Sequence, residues 1–242
     1  MIPWLADTSD FPSVESALRS PNGLLAAGGD LRPERLLAAY RRGIFPWYAE
    51  PDPILWWSPD PRMVLFPDEL RVSRSLRKSA RNLAYSIRFD TAFGEVMDSC
   101  AEARKEQPGT WISQPMRDAY TCLHRLGHAH SVETWMDGKL AGGLYGVSLG
   151  KVFFGESMFF RQRDASKLAL MGLCTLLLEK GFRMIDCQMH TPHLASLGGR
   201  EIPRQQFSTL LEELVDCPLN PELWTTHSRE HQPGPRPDVE TE

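Results

Sequence analysis

From residue 62 onward the hydrophobic and polar positions fall into a regular succession of helix and strand patterns. Residues 73–81 read as a helix, 83–89 as a strand, and 91–104 and 113–126 as helices. The last of these has Ser113 as its cap and Gly127 just past its end. Three consecutive strands follow over 129–136, 139–148 and 151–160, and Asp137-Gly138 between the first two is a strong two-residue hairpin signal. A long helix over 164–180 stops at Gly181, then strand 183–188 and helix 203–215 complete the pattern. The first sixty residues differ, being rich in Pro, Gly and Trp with two short helices. One covers 33–42, with Pro33 at its first position and Gly43 past its end. Residues 44–61 set Trp47, Tyr48, Trp56 and Trp57 among five prolines, which argue against regular structure there. The expected architecture is α+β: a small irregular N-terminal lobe (1–61), a larger domain (62–226) and a disordered, almost apolar-free tail (227–242). The element order of the larger domain is that of acetyltransferase-like (GNAT-like) domains, and of many others.

Composition narrows the class. The chain has 242 residues, 42% hydrophobic and 24% charged, enough to bury one good core and a smaller lobe. It has no apolar run of about 18 residues and no signal-peptide pattern at its start, so a soluble cytoplasmic protein is expected. Five cysteines without a CxxC pair point to reduced thiols rather than disulfides or a zinc ribbon. A net charge of −4 means that any nucleic-acid partner needs a local basic patch. Segment 71–81 supplies one: Arg71, Arg74, Lys78 and Arg81 lie at helical spacing with Arg77 adjacent. Such a run is either a solvated face or a grip on a phosphate backbone.

Two strands carry carboxylates where apolar residues belong. In "RMIDCQ" (183–188), alternation puts Asp186 and Gln188 on one face and Ile185 and Cys187 on the other. In "KVFFGESMFF" (151–160), it puts Val152, Phe154, Glu156, Met158 and Phe160 together, with Gly155 permitting a bulge. Two readings stand for these groups: a structural hydrogen-bond network, or the polar floor of an apolar ligand pocket. Trp47 and Trp111, in loop-like contexts, are either core residues or platforms for a base. His128 and His130 share a strand face and His190 and His193 lie three apart, with no Cys or carboxylate at a recognised spacing, so no metal is expected. Neither GxxxxGK[ST] nor GxGxxG occurs, and the glycines at 142–146 suit a bend within a strand.

The chain resembles the leucyl/phenylalanyl-tRNA–protein transferases of bacteria. The resemblance rests on "PNGLLAAGGDL" (21–31), "RRGIFPWY" (41–48), "DPILWWSPDPR" (52–62), "GTWI" (109–112), "GHAHSVE" (127–133), "AGGLYGVSLG" (141–150), "FFGESMF" (153–159), "DASKLAL" (164–170), "IDCQ" (185–188) and "HLASLGGREIPR" (193–204). It implies an acetyltransferase-like larger lobe. It also implies transfer of Leu, Phe or less readily Met from tRNA to the α-amine of proteins beginning with Arg or Lys, marking them for degradation. On this resemblance Asp186, Gln188 and Glu156 are the expected catalytic residues. Leu144, Phe153 and Met158 would line the side-chain pocket, Trp47 and Trp111 would contact the terminal adenosine, and the basic residues would hold the acceptor stem. The ester is already activated, so no cofactor is required, and nothing demands more than a monomer. The chain departs from the family where Leu144 replaces a common Met, Phe160 a common Ser and Gly199 a common Ala. Two rivals remain. An acyl-CoA N-acetyltransferase would need a glycine-rich loop where this chain reads "FFRQRDASK". A non-catalytic RNA-binding module would leave Asp186, Gln188 and Glu156 unexplained.

Overall fold

The structure is a computed structural model that describes residues 2–6, 10–104, 111–218, 224 and 228–231. Its N-terminal part is more regular than the prolines suggest. Strands β1 (Trp4–Leu5), β2 (Leu24–Gly28), β3 (Phe45–Pro46) and β4 (Leu55–Trp57) form a sheet in the order β1-β2-β4-β3. Helix α1 (Pro33–Arg41) lies between β2 and β3 in sequence. The proline within β3 is tolerated because β3 is an edge strand, where one backbone face needs no ladder partner. Indole donors fasten the loops around it: Trp56 Nε1 donates to the Gly28 carbonyl at 2.9 Å and Trp57 Nε1 to that of Trp47 at 2.6 Å.

The larger sheet has eight strands. In chain order its elements are β5 (Arg62–Leu65), α2 (Arg74–Asn82), β6 (Tyr85–Phe89), α3 (Phe93–Glu102), α4 (Gln114–Arg125), β7 (Ala129–Met136), β8 (Lys139–Leu149) and β9 (Val152–Phe160). Then come α5 (Ala165–Glu179), β10 (Met184–Gln188), α6 (Pro192–Ser196), β11 (Arg200–Ile202), α7 (Arg204–Leu214) and β12 (Arg229–His231). The strand order is β11-β5-β10-β9-β8-β7-β6-β12. β6 to β9 form an antiparallel meander. Asp137 and Gly138 both take positive φ (50° and 71°), the paired left-handed conformation that the tight β7–β8 turn requires. α5 crosses over so that β10 lies parallel to β9. One face of the sheet packs on α3, α4 and the N-terminal part through Tyr120, Val96, Tyr145 and Phe154; the other packs on α5 through Leu144, Phe153, Leu168 and Leu173.

The segment expected to be disordered is not so throughout: Arg229–His231 pair with β6 as the edge strand β12, while 227 and 232–242 lie outside the described residues. Ser113 precedes α4, but its side chain makes no capping hydrogen bond.

Candidate functional site

β9 and β10 pair in parallel only as far as Phe154 and Asp186. Beyond that point both strands leave the ladder. On β9 the register to β8 jumps from Gly146↔Gly155 to Tyr145↔Ser157, so Glu156 is the extra residue of a bulge. Gly146 makes room for it: a Cβ there would lie 2.1 Å from the Phe154 carbonyl oxygen. On β10 the register also slips after Asp186, and Gln188 adopts φ 57°. A cavity of about 600 Å³ opens between the diverging ends. Ligand sites of α/β sheets recur at such carboxyl ends.

The bulge corrects the expected strand faces. Val152 and Phe154 stay on the α3–α4 side, but Met158 is shifted across to join Phe153 and Leu144 on the α5 side. The cavity therefore has two arms. The apolar arm, on the α5 side, is walled by Leu144, Phe153, Met158, Leu170, Leu173 and Ile185. The other arm, towards the N-terminal part, meets Phe45, Trp47, Arg104, Trp111, Tyr145 and Glu156. All five residues expected to bind substrate thus line one cavity.

At its floor Glu156 accepts from Tyr40 Oη at Oε1 (2.7 Å) and from Tyr120 Oη at Oε2 (3.2 Å), while Gln188 Nε2 donates to Oε1 over a longer 3.5 Å. The two phenols also touch each other. Burial pushes the Glu156 carboxyl up to about 7, against the opposing effect of the Tyr40 hydrogen bond. Burial, then the Glu156 charge, holds both phenols well above their ordinary value, so they remain donors. Tyr145 Oη is buried beside them with no partner among the described residues.

Asp186 does not line the cavity. It is fully buried and gripped by Arg62, whose Nε donates to Oδ1 at 2.8 Å and Nη2 to Oδ2 at 2.7 Å. Arg62 also donates to the Gly43 carbonyl (3.0 Å) and lies against the rings of Phe45 and Phe207. Asp186 Oδ1 accepts the backbone N–H of Gln188 at 3.0 Å. The simple alternation that placed Asp186 and Gln188 on a common face fails at the register slip: Asp186 turns to the core and Gln188 to the cavity. Burial raises the Cys187 thiol far above its ordinary value, so this cavity residue offers no thiolate nucleophile.

Trp47 stands at the rim, 39% exposed, and Trp111 is partly buried beside it. Arg71, Arg74, Arg77, Lys78 and Arg81 are exposed and lie outside the cavity. Ser73 caps the helix that carries all of them but Arg71 by accepting the Leu76 N–H at 3.2 Å, and Leu76 is its one buried residue. α2 reaches the α5 side of the site through Ser79, which donates to Asp164 at 2.8 Å; Lys167 donates to the same carboxylate at 3.1 Å. His193 lines the cavity and is lowered by burial, then by Lys167. His130 meets Asp90 at 2.7 Å, with His124 in the same cluster. The second nitrogen of His130 faces the Gly127 carbonyl at 3.1 Å and His124 Nδ1 faces that of Ala129 at 2.8 Å, so the group is knitted into the backbone by hydrogen bonds.

Sequence reading missed Arg62, Tyr40 and Tyr120. A fully buried arginine opening a strand is a signal only once its distant acid is known, and the tyrosines lie 116 and 36 residues from Glu156.

Residues 64–212 match the family model described as leucyl/phenylalanyl-tRNA protein transferase, and residues 29–60 that of its N-terminal domain. A leucyl/phenylalanyl-tRNA–protein transferase of Chromobacterium violaceum is 60% identical, over 95% of this chain and 98% of that one. Another from Nitrosospira multiformis is 62% identical over 93% and 97%. Among solved structures, a GCN5-related N-acetyltransferase from Kribbella flavida aligns over 70% of this chain and 60% of its own, with 12% identity and a TM-score of 0.37. The L-PGS structure from Bacillus licheniformis aligns over 69% and 53%, with 10% identity and a TM-score of 0.38. Likenesses this loose carry no weight for the site. No helix among the described residues is long and apolar enough to cross a membrane.

Proposed function

Because the chain belongs to the leucyl/phenylalanyl-tRNA–protein transferase family and is an aminoacyltransferase, we propose that its cavity seats the aminoacyl end of a charged tRNA beside the α-amine of an acceptor protein. Leu, Phe or less readily Met passes to acceptors beginning with Arg or Lys, and the product is thereby marked for degradation in the cytoplasm. The protein acts as a monomer, with residues 1–61 as a small lobe beside the catalytic domain of 62–226. The observation that carries this reading is one cavity with an apolar arm and a polar floor on opposite sides of the β9 bulge.

In this reading the apolar arm takes the side chain of the amino acid. Leu, Met and Phe extend into it, whereas a branched Cβ clashes near its mouth. Trp47 and Trp111 flank the terminal adenosine, and the cations of α2 hold acceptor-stem phosphates without reading sequence. The amine attacks the ester carbonyl; a C–N bond forms, the C–O bond to the ribose breaks, and the ribose hydroxyl leaves with a proton. A free α-amine has a pKa of about 7.7–8.0, so it must first shed a proton. With Gln188 Nε2 turned to Glu156, the amide oxygen is left to accept from the amine. Asp186, with both oxygens engaged, positions Gln188 through its backbone N–H instead of taking the proton. Glu156 receives amine hydrogens when ionised. Positioning supplies most of the acceleration, since a well-held intramolecular reaction is worth roughly 7–11 kcal/mol.

The test uses Leu-, Phe- and Ile-charged tRNA with Arg- and Ala-started peptides. Labelled product is expected from the first two donors with the Arg-peptide; equal labelling of the Ala-peptide, or equal use of Ile, overturns the reading.

A further inference from the structure

The turn from β9 into α5 carries an aromatic, Phe160, and an exposed cation, Arg163, that the reaction does not use. Phe160 ends β9, lines the rim of the cavity and is 66% exposed. A ring exposed at a cavity rim offers a face on which a ligand can stack. Two residues after Met158 and paired with Gly142, it stands on the α5 side of the sheet, the side on which α2 packs. Arg161 turns to α3, donating to Glu95 at 3.3 Å and Ser99 at 2.9 Å, whereas Arg163 faces solvent. Arg163 is 85% exposed, its Nε 3.8 Å from the Asp164 carboxylate that receives Ser79 of α2. The apolar arm, Phe160, Arg163 and the cations of α2 are thus contiguous on one side of the molecule.

We propose that Phe160 is a stacking platform for the unpaired nucleotide that precedes the terminal adenosine of the tRNA, with Arg163 on the phosphate between that nucleotide and the acceptor stem. This rests on the function proposed above. If the aminoacyl end sits in the apolar arm and the stem on α2, the single-stranded 3′ end has to cross this turn. A ring with a cation beside it suits it: every base has a π-face, and stacking is tolerant of sequence. An acceptor protein beginning with Arg or Lys is the wrong sign for a surface carrying Arg163 and Lys167.

The experiment compares two donors, full aminoacyl-tRNA and 3′-O-aminoacyl-adenosine, which lacks the nucleotide in question. Phe160→Ala is expected to raise KM for aminoacyl-tRNA roughly 5- to 150-fold, the range for loss of one stacked base. Its effect on KM for aminoacyl-adenosine should stay under about twofold, the change falling on KM rather than kcat, and Phe160→Tyr should restore binding. Arg163→Ala should flatten the salt dependence of tRNA binding by about 0.7, the slope of one single-strand phosphate contact. An equal KM rise with both donors, a rise in peptide KM alone, or no change with either overturns the platform. Failure of the unaltered protein to use either donor would instead sink the function proposed above. Because Phe160 is mostly exposed, its truncation leaves no hole in the core.

Discussion

Replacing Asp186 with Ala separates two roles that a sequence reading merges. The Arg62 side chain is 1% exposed and that of Asp186 0%, and two short hydrogen bonds join them. Removing one member of such a pair leaves a desolvated charge and costs about 3–5 kcal/mol. Arg62 keeps the Gly43 carbonyl and two ring faces, so the lower half of that range is expected. Arg62→Met should cost a similar amount by stranding Asp186. The double variant Arg62→Met with Asp186→Leu removes both charges and leaves only the Gln188 N–H and the Gly43 carbonyl without partners, at about 1–3 kcal/mol each. With single losses of about 3–4 kcal/mol each and a double loss of about 2–6, the double variant should be about 3 kcal/mol more stable, at mid-range, than the sum of the single changes predicts. Urea unfolding measures this, supported by melting temperatures that move roughly 2–4 °C per kcal/mol for a chain of this size. Transfer to an Arg-peptide is the second readout. Part of the lost stability should return in the double variant while transfer stays low, because the backbone of Gln188 has lost its anchor. Two results would refute this: Asp186→Ala unfolding within about 1 kcal/mol of the unaltered protein, or full transfer by the double variant.

Three further expectations follow from named contacts. The Glu156 proton is held more tightly folded, at about 7, than in the unfolded chain near 4.5, so its contribution to stability is complete below pH 4.5 and lost as pH rises through about 7. Glu156→Gln should abolish that loss in pH-dependent unfolding and remove the rise in transfer rate near pH 7, leaving only the rise due to the amine; coincident profiles would count against Glu156. Arg74→Ala with Lys78→Ala should weaken tRNA binding and flatten its log–log salt slope by about 0.7–0.9 per lost phosphate contact, and an unchanged slope in a filter-binding titration would remove α2 from the interface. Gly146→Ala puts a methyl group 2.1 Å from the Phe154 carbonyl oxygen. It should destabilise the protein by more than about 1 kcal/mol in urea and cut transfer to the Arg-peptide; a neutral result would show that the bulge can shift freely.

What the chain declares by itself is local. The β7–β8 hairpin at Asp137-Gly138, α1 between Pro33 and Gly43, the long α5 and the meander of β7 to β9 could all be read in the sequence, since caps, turns and periodic patterns act over a few residues. Glu156, Gln188 and Asp186 also stood out, as polar side chains in apolar strands. The short strands β3, β4, β5 and β11 were not legible, because two to four residues hold no pattern and gain strand geometry only from partners far along the chain.

Only the tertiary structure decided what those polar residues do. The bulge at Glu156 moved Met158 to the opposite face of β9, and a register slip parted Asp186 from Gln188. Arg62 reached Asp186 across 124 positions and Tyr40 reached Glu156 across 116. A carboxylate announces in sequence that burying it is costly. Which partner offsets that cost depends on which distant segments are packed against it, and this settles whether an acid anchors a backbone, as Asp186 does, or faces a cavity, as Glu156 does.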